Sequence, residues 1–271
     1  MTTFITQEYY NTTDQMGRSI TVPYHPKRII SLVPSQTELL YYLGLTNEVV
    51  GQTIFCIHPH EQHLIKPRVG GTKKLKLDII ASLNPDLIIG NMEENDQGQI
   101  EELMKHYPVW MSDIKTLDDA CSMITDIGSL VGKANQAMEL KDKIVSGFDT
   151  IPKIQTASCL YFIWRKPWMA AGHDTFIDNL LYRIGLSNLA KPFNSRYPSI
   201  TDGDIKQLAP QYILLSSEPY PFKQKHIEEL KLISPNSKII LVDGEMFSWY
   251  GSRLLNAVDY FKSLSTQLAK N

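Results

Sequence analysis

Ile80-Ala-Ser-Leu-Asn-Pro-Asp-Leu-Ile-Ile89 reads as the end of a helix, a proline break and a buried strand, and the chain repeats it as Ile205-Lys-Gln-Leu-Ala-Pro-Gln-Tyr-Ile-Leu214. In each copy the proline cannot continue a helix and pushes its predecessor out of the helical region, so the apolar run that follows starts a new element. Upstream of each copy, in the same order, Glu38-Leu-Leu-Tyr-Tyr-Leu-Gly-Leu45 is matched by Asn179-Leu-Leu-Tyr-Arg-Ile-Gly-Leu186, an apolar helix closed by glycine. One such helix recurs easily by chance. Two ordered pairs, each with its own punctuation, predict two similarly built α/β lobes. The repeats are too few and too long for a solenoid.

Outward from these anchors, Asp14-Gln-Met-Gly17 reads as a turn before a strand at Ser19 to Pro23, and Arg28 to Val33 as a buried strand stopped by Pro34-Ser35. Helices are expected at Thr37 to Leu43, Leu77 to Leu83 and Ile100 to His106, and strands at Asp86 to Gly90 and Val109 to Met111. Between the copies, Thr116-Leu-Asp-Asp119 resembles a capping box, and apolar residues follow at helical spacing from Met123 to Val145. The spacing predicts one helix over 116–150, of which about 30 helical residues would span about 45 Å at about 1.5 Å per residue. Two helices broken near Gly128 or Gly132 are the competing reading, because a glycine inside a helix costs about 1 kcal/mol. The expected architecture is two Rossmann-like α/β lobes, residues 1–115 and 151–271, joined by one long backbone helix at 116–150, with a ligand cleft between them.

At 271 residues, a net charge of -2 and 43% hydrophobic residues, the chain is an ordinary globular protein with nothing to attract nucleic acid. No stretch reads as a transmembrane span, so no direct membrane insertion is expected. Cys56, Cys121 and Cys159 are odd in number and widely spaced, which predicts buried small hydrophobes and no disulfide framework. Met1 to Glu8 lacks the basic and apolar segments of an export signal. The expectation is therefore open between a cytoplasmic protein and a chain given without its leader.

In α/β sheets ligands sit at loops leaving the carboxyl ends of strands. Those loops carry Pro34-Ser35, Thr53 to Pro59 with Phe55, Gly70 to Lys74 with Lys73, and Asn91 to Asn95. Further along come Trp164 to Trp168, Gly172 to Thr175 with His173, Asn194 to Pro198 with Arg196 and Tyr197, Ser216 to Tyr220, and Gly244 to Gly251 with Met246, Phe247, Trp249 and Tyr250. Aromatic rings gathered in loops predict stacking surfaces for a large, flat, partly apolar ligand; loop anchoring is the alternative. The basic residues would meet ligand carboxylates or phosphates. His58-Pro-His-Glu-Gln-His63 lacks HExxH spacing, so no structural metal is expected. No GxSxG elbow, Walker loop or GxGxxG is present, so the chain reads as a binding protein with neither catalytic residues nor a cofactor.

Asp14-Gln-Met-Gly-Arg-Ser-Ile20, Pro26-Lys-Arg-Ile-Ile-Ser-Leu-Val-Pro-Ser-Gln-Thr-Glu38, Val69-Gly-Gly-Thr72 and Leu83-Asn-Pro-Asp-Leu-Ile-Ile89 resemble the periplasmic cobalamin and iron-siderophore binding proteins, the helical-backbone receptors of ABC importers. The resemblance covers almost the whole chain. It implies two lobes bridged by one helix, and a corrinoid, haem or ferric siderophore as the ligand. It implies a monomer that docks on a membrane permease through one acid per lobe, Glu94 and Glu218. Pro34 and Phe55 match pocket positions of the family. The other reading it leaves is a cytoplasmic protein that binds or senses a corrinoid or other metal complex without transport.

Overall fold

The computed structural model describes residues 8–155 and 157–269, so residues 1–7 of the segment read for a leader lie outside the described residues. The chain divides into two compact units. The first takes Met1–Ile114, Asp118–Ile144 and Tyr250–Arg253, and the second Lys115–Leu117, Val145–Trp249 and Leu254–Asn271.

The first unit opens with a hairpin of β1 (Tyr9–Thr13) and β2 (Ser19–Pro23), turned at Asp14, whose carboxylate accepts from Met16 N and Arg18 N. Then come β3 (Ile29–Ser31), α1 (Pro34–Tyr42), β4 (Val49–Gln52), α2 (His60–Ile65), the short pair β5 (Gly70–Gly71) and β6 (Lys74–Leu75), and α3 (Leu77–Ser82). β7 (Leu87–Asn91), α4 (Gln97–Met104) and β8 (Val109–Ser112) complete the run. The sheet is parallel in the order β4-β3-β7-β8. Its strands are near-continuous apolar runs because helices cover both faces. Ile30, Leu32, Ile80, Ile88, Ile100 and Val109 form the core on one face. Helix α1 starts three residues before the expected Thr37: Pro34 stops the strand and, lacking an N–H, occupies the first helical turn, where none is needed.

The expected single helix over 116–150 is two helices, α5 (Leu117–Leu130) and α6 (Ala134–Asp149). Gly132 takes φ +71°, and Lys133 N bonds Gly128 O at 2.6 Å while Gly132 N bonds Ser129 O at 3.3 Å, the paired closure of a Schellman turn. Added side chains would be refused at both glycines. A Cβ on Gly128 would lie 2.2 Å from that of Ala137, and one on Gly132 would lie 1.9 Å from the His25 ring.

The second unit contains β9 (Ala157–Trp164), β10 (Trp168–Ala170), α7 (Phe176–Arg183), β11 (Leu186–Asn188), β12 (Ser199–Ile200), α8 (Asp202–Leu208), β13 (Tyr212–Ser216), α9 (Gln224–Ile233), β14 (Lys238–Val242), α10 (Gly244–Ser248) and α11 (Leu254–Ala269). Its parallel strands run β11-β9-β13-β14, the order of the first unit again, with β10 and β12 added antiparallel beyond the outer part of β9. The sequence echo is structural. Gly44 and Gly185 close α1 and α7 with φ +82° and +90°, and Asn84 and Ala209 precede their prolines with φ 43° and 42°. All three cysteines are free and buried. No helix among the described residues is long and apolar enough to cross a membrane.

Candidate ligand-binding site

Every strand of the first sheet ends on a polar residue: Ser31, Gln52, Asn91 and Ser112, all buried. Buried amides and hydroxyls are costly unless paired, and here they pair with one another and with the loops. Asn91 Nδ2 donates to Ser112 Oγ at 3.0 Å, and its Oδ1 accepts from Glu93 N and Glu94 N at 2.9 and 3.0 Å. Asn95 Oδ1 accepts from Asn91 N, and its Nδ2 donates to Thr72 O. Gln36 Nε2 donates to Ser112 Oγ and Gly90 O. Lys73 Nζ donates to the carbonyls of Glu93 and Asn95. The Lys73 ammonium, expected at a ligand, is thus a strut under the 91–95 loop, which leaves Glu94 exposed on its outer side.

The loop after β4 is folded by the same device. Thr37 and Thr53 hydroxyls lie 3.0 and 3.1 Å from Cys56 Sγ, and Gln52 Nε2 donates to Cys56 O at 2.8 Å. Burial pushes the Cys56 thiol pKa up, so it stays an inert thiol. With Cys56 turned inward, its neighbours turn outward: Ile54, Phe55 and Ile57 are 48%, 52% and 40% exposed. The Phe55 ring lies over Gly71, where a Cβ would approach it to 3.2 Å. Pro34 is half-buried and Ser35 buried in the first turn of α1. Beside Ser35 the segment Tyr250–Arg253 returns to this unit: Tyr250 is buried, Gly251 passes Ser35 O with φ +108°, and Arg253 holds Glu38 through two hydrogen bonds of 2.9 and 2.6 Å.

In the second unit the carboxyl end of β9 carries Trp164, 43% exposed, with its ring edge to face against Tyr220 at 5.5 Å. Tyr220 meets Phe222 at 4.9 Å, and Phe222 stacks on Trp168. Trp168 and Phe247, expected at the ligand, are core side chains. Trp168 is enclosed among Phe162, Phe222 and the Arg165 guanidinium, which lies 4.0 Å above its ring, and its Nε1 donates to Asp202. Phe247 is fully buried against Tyr161, Tyr260 and Phe261. Trp249 is buried too, and its Nε1 and the Ser248 hydroxyl both donate to Glu218 Oε1, at 3.0 and 2.7 Å. Burial raises the Glu218 pKa against the lowering effect of these bonds. The carboxylate is therefore half-buried and engaged. Met246 is half-exposed on α10.

His173, Arg196 and Tyr197 come together. Arg196 Nε donates to Asp174 O at 2.9 Å, Gly172 N bonds Arg196 O at 2.7 Å, and a Cβ on Gly172 would strike Ser195 O at 2.3 Å. His173 is half-buried with its Nε2 unpartnered. Next to Asp174 lies a cavity of about 260 Å³ that the loop-by-loop reading missed, lined by Lys115, Thr116, Asp178, Tyr182 and Lys191 among others. Its charges cancel in pairs, Lys115 with Asp174 and Lys191 with Asp178. Among the described residues no group of three or more His, Cys, Asp or Glu side chains is placed to hold a metal ion.

Comparison with known proteins places this arrangement. The chain is 27% identical over 267 residues to the uncharacterized ABC transporter substrate-binding lipoprotein YvrC of Bacillus subtilis, covering 91% of this chain and 82% of that one. It is 25% identical over 252 residues to a vitamin B12-binding protein of Pectobacterium carotovorum, covering 90% of each. Among solved structures, the periplasmic heme-binding protein RhuT of Roseiflexus shares the fold with a TM-score of 0.75 at 19% identity, over 90% of this chain and 98% of that chain. Residues 29–232 match the family described as periplasmic binding protein, and the chain belongs to that family.

Proposed function

We propose that this protein is the substrate-binding component of an ABC importer. It holds a corrinoid, haem or ferric siderophore against the carboxyl-end loops of its sheets, does no chemistry on it, and passes it to a permease. The observation that carries this reading is the tip Ile54, Phe55 and Ile57. It is a strongly apolar surface exposed on a loop that buried polar groups keep in one conformation. A loop already ordered before binding loses little entropy when a ligand covers it. Its apolar area returns about 25 cal/mol per Å² removed from water. In the second unit Trp164 presents a ring on a similarly braced support, with Met246, His173, Arg196 and Tyr197 as further contacts. The relatives named for B12 and heme support a flat, metal-bearing ligand. Glu94, exposed on a locked loop, is suited to meet a cationic permease surface.

The test is an absorbance and thermal-shift titration of the purified chain with cyanocobalamin, cobinamide, haemin and ferric siderophores. One ligand class should bind saturably and stabilise the fold by about 2.7 kcal/mol at a hundredfold excess over its Kd. No stabilisation by any of them would exclude the ligand class. Glu94→Lys should stop uptake in cells while leaving that titration unchanged, and loss of both together would remove the docking role.

A further inference from the structure

His226 lies in the first turn of α9, 4% exposed, with both ring nitrogens engaged. Nδ1 is 2.8 Å from the backbone N of Lys223. A backbone N–H can only donate, so Nδ1 carries no hydrogen. The neutral ring then holds its hydrogen on Nε2, which lies 3.2 Å from the Tyr220 hydroxyl and donates to its oxygen. The Tyr220 ring meets His226 edge to face at 5.4 Å and Trp164 edge to face at 5.5 Å. A single line of contacts therefore runs from the start of α9 through His226 and Tyr220 to the exposed ring of Trp164.

We infer that His226 is a positioning residue for the Trp164 face: neutral, it fixes Tyr220 and through it Trp164; protonated, it releases both. A proton on Nδ1 would point a second hydrogen at the Lys223 N–H. Two donors cannot share that contact, so the ring must turn away and surrender its bond to Tyr220. The charged groups facing the imidazole set where this happens. Lys225 and Arg165 oppose the added charge; Glu229 favours it but is itself held by two hydrogen bonds from Arg165. Burial first, then Lys225, keeps the His226 pKa below its ordinary value, so the release belongs to mildly acidic solution. The consequence for ligand rests on the functional reading above; the positioning itself does not.

The experiment follows Trp164 emission, taken as the difference between the wild-type chain and Trp164→Phe, from about pH 8 to about pH 5 without ligand. A sigmoidal change with its midpoint below about 6.5 is expected. It should vanish in His226→Gln and in Tyr220→Phe; the latter deletes only a hydroxyl and keeps the test valid if the histidine variant fails to fold. No transition in the wild type, or one of full amplitude in Tyr220→Phe, would overturn the inference. With haemin or cyanocobalamin, whichever titrates, affinity should fall about tenfold across the same range and stay level in Tyr220→Phe. An emission change without that fall would uphold the positioning and remove Trp164 from the ligand site.

Discussion

The two units carry the same parallel strand order and differ in what stands at the carboxyl ends. In the first, β3, β4, β7 and β8 end on Ser31, Gln52, Asn91 and Ser112, which tie the loops down by hydrogen bonds. In the second, the counterparts of β4 and β7 are β11 and β13, which still end on buried polar residues, Asn188 and Ser216, bonded to their loops. The counterparts of β3 and β8 are β9 and β14, which end on Trp164 and Val242, and packed rings stand at the end of β9. One topology thus accepts two ways of holding a loop. Hydrogen bonds specify it directionally and fail when one partner is lost. Aromatic packing specifies it by shape and area and fails when volume is lost.

Phe247→Ala should have the largest effect, lowering stability by about 3–5 kcal/mol in denaturant unfolding, because it empties the centre of an aromatic cluster. Asn91→Ala should cost about 2–3 kcal/mol, since the Glu93 and Glu94 N–H groups lose their acceptor. The comparison breaks if Asn91→Ala is neutral, which would mean that the first unit also rests on packing alone. The smallest effect concerns Glu218. Its folded pKa is raised, so the folded state binds more protons than the unfolded one above the unfolded value, and stability falls as pH rises through that interval. Glu218→Gln should flatten this part of the stability profile, and an unchanged slope would show that the carboxylate is not desolvated.

The repeated helix-proline-strand phrase carried the fold legibly, because proline and glycine act locally: in both copies the helix stops before its proline, at a residue of positive φ, and the upstream helix is closed by a glycine of positive φ. The break between α5 and α6 was weaker in the sequence, since Gly132 is demanded by the distant His25 ring and Gly128 by Ala137 across the turn. The site was legible as a set of loops and not as a set of side chains. Trp168 and Phe247 lie in loop-rich segments, yet each is covered by residues far along the chain, such as Phe222 and Phe261. The outward tip at Ile54 and Ile57 depends on Cys56 turning inward toward Thr37, a pairing across 19 positions that no local pattern announces.

The most direct test of the central claim, that a braced carboxyl-end loop presents the ligand contacts, is an equilibrium titration of Phe55→Ala and of Trp164→Ala with the ligand found by screening. Both rings are substantially exposed, so stability should change little. Phe55→Ala, at the exposed tip that carries the functional reading, should weaken binding by about tenfold or more. Wild-type affinity in both variants would contradict the account, and loss in only one would confine the ligand to that unit.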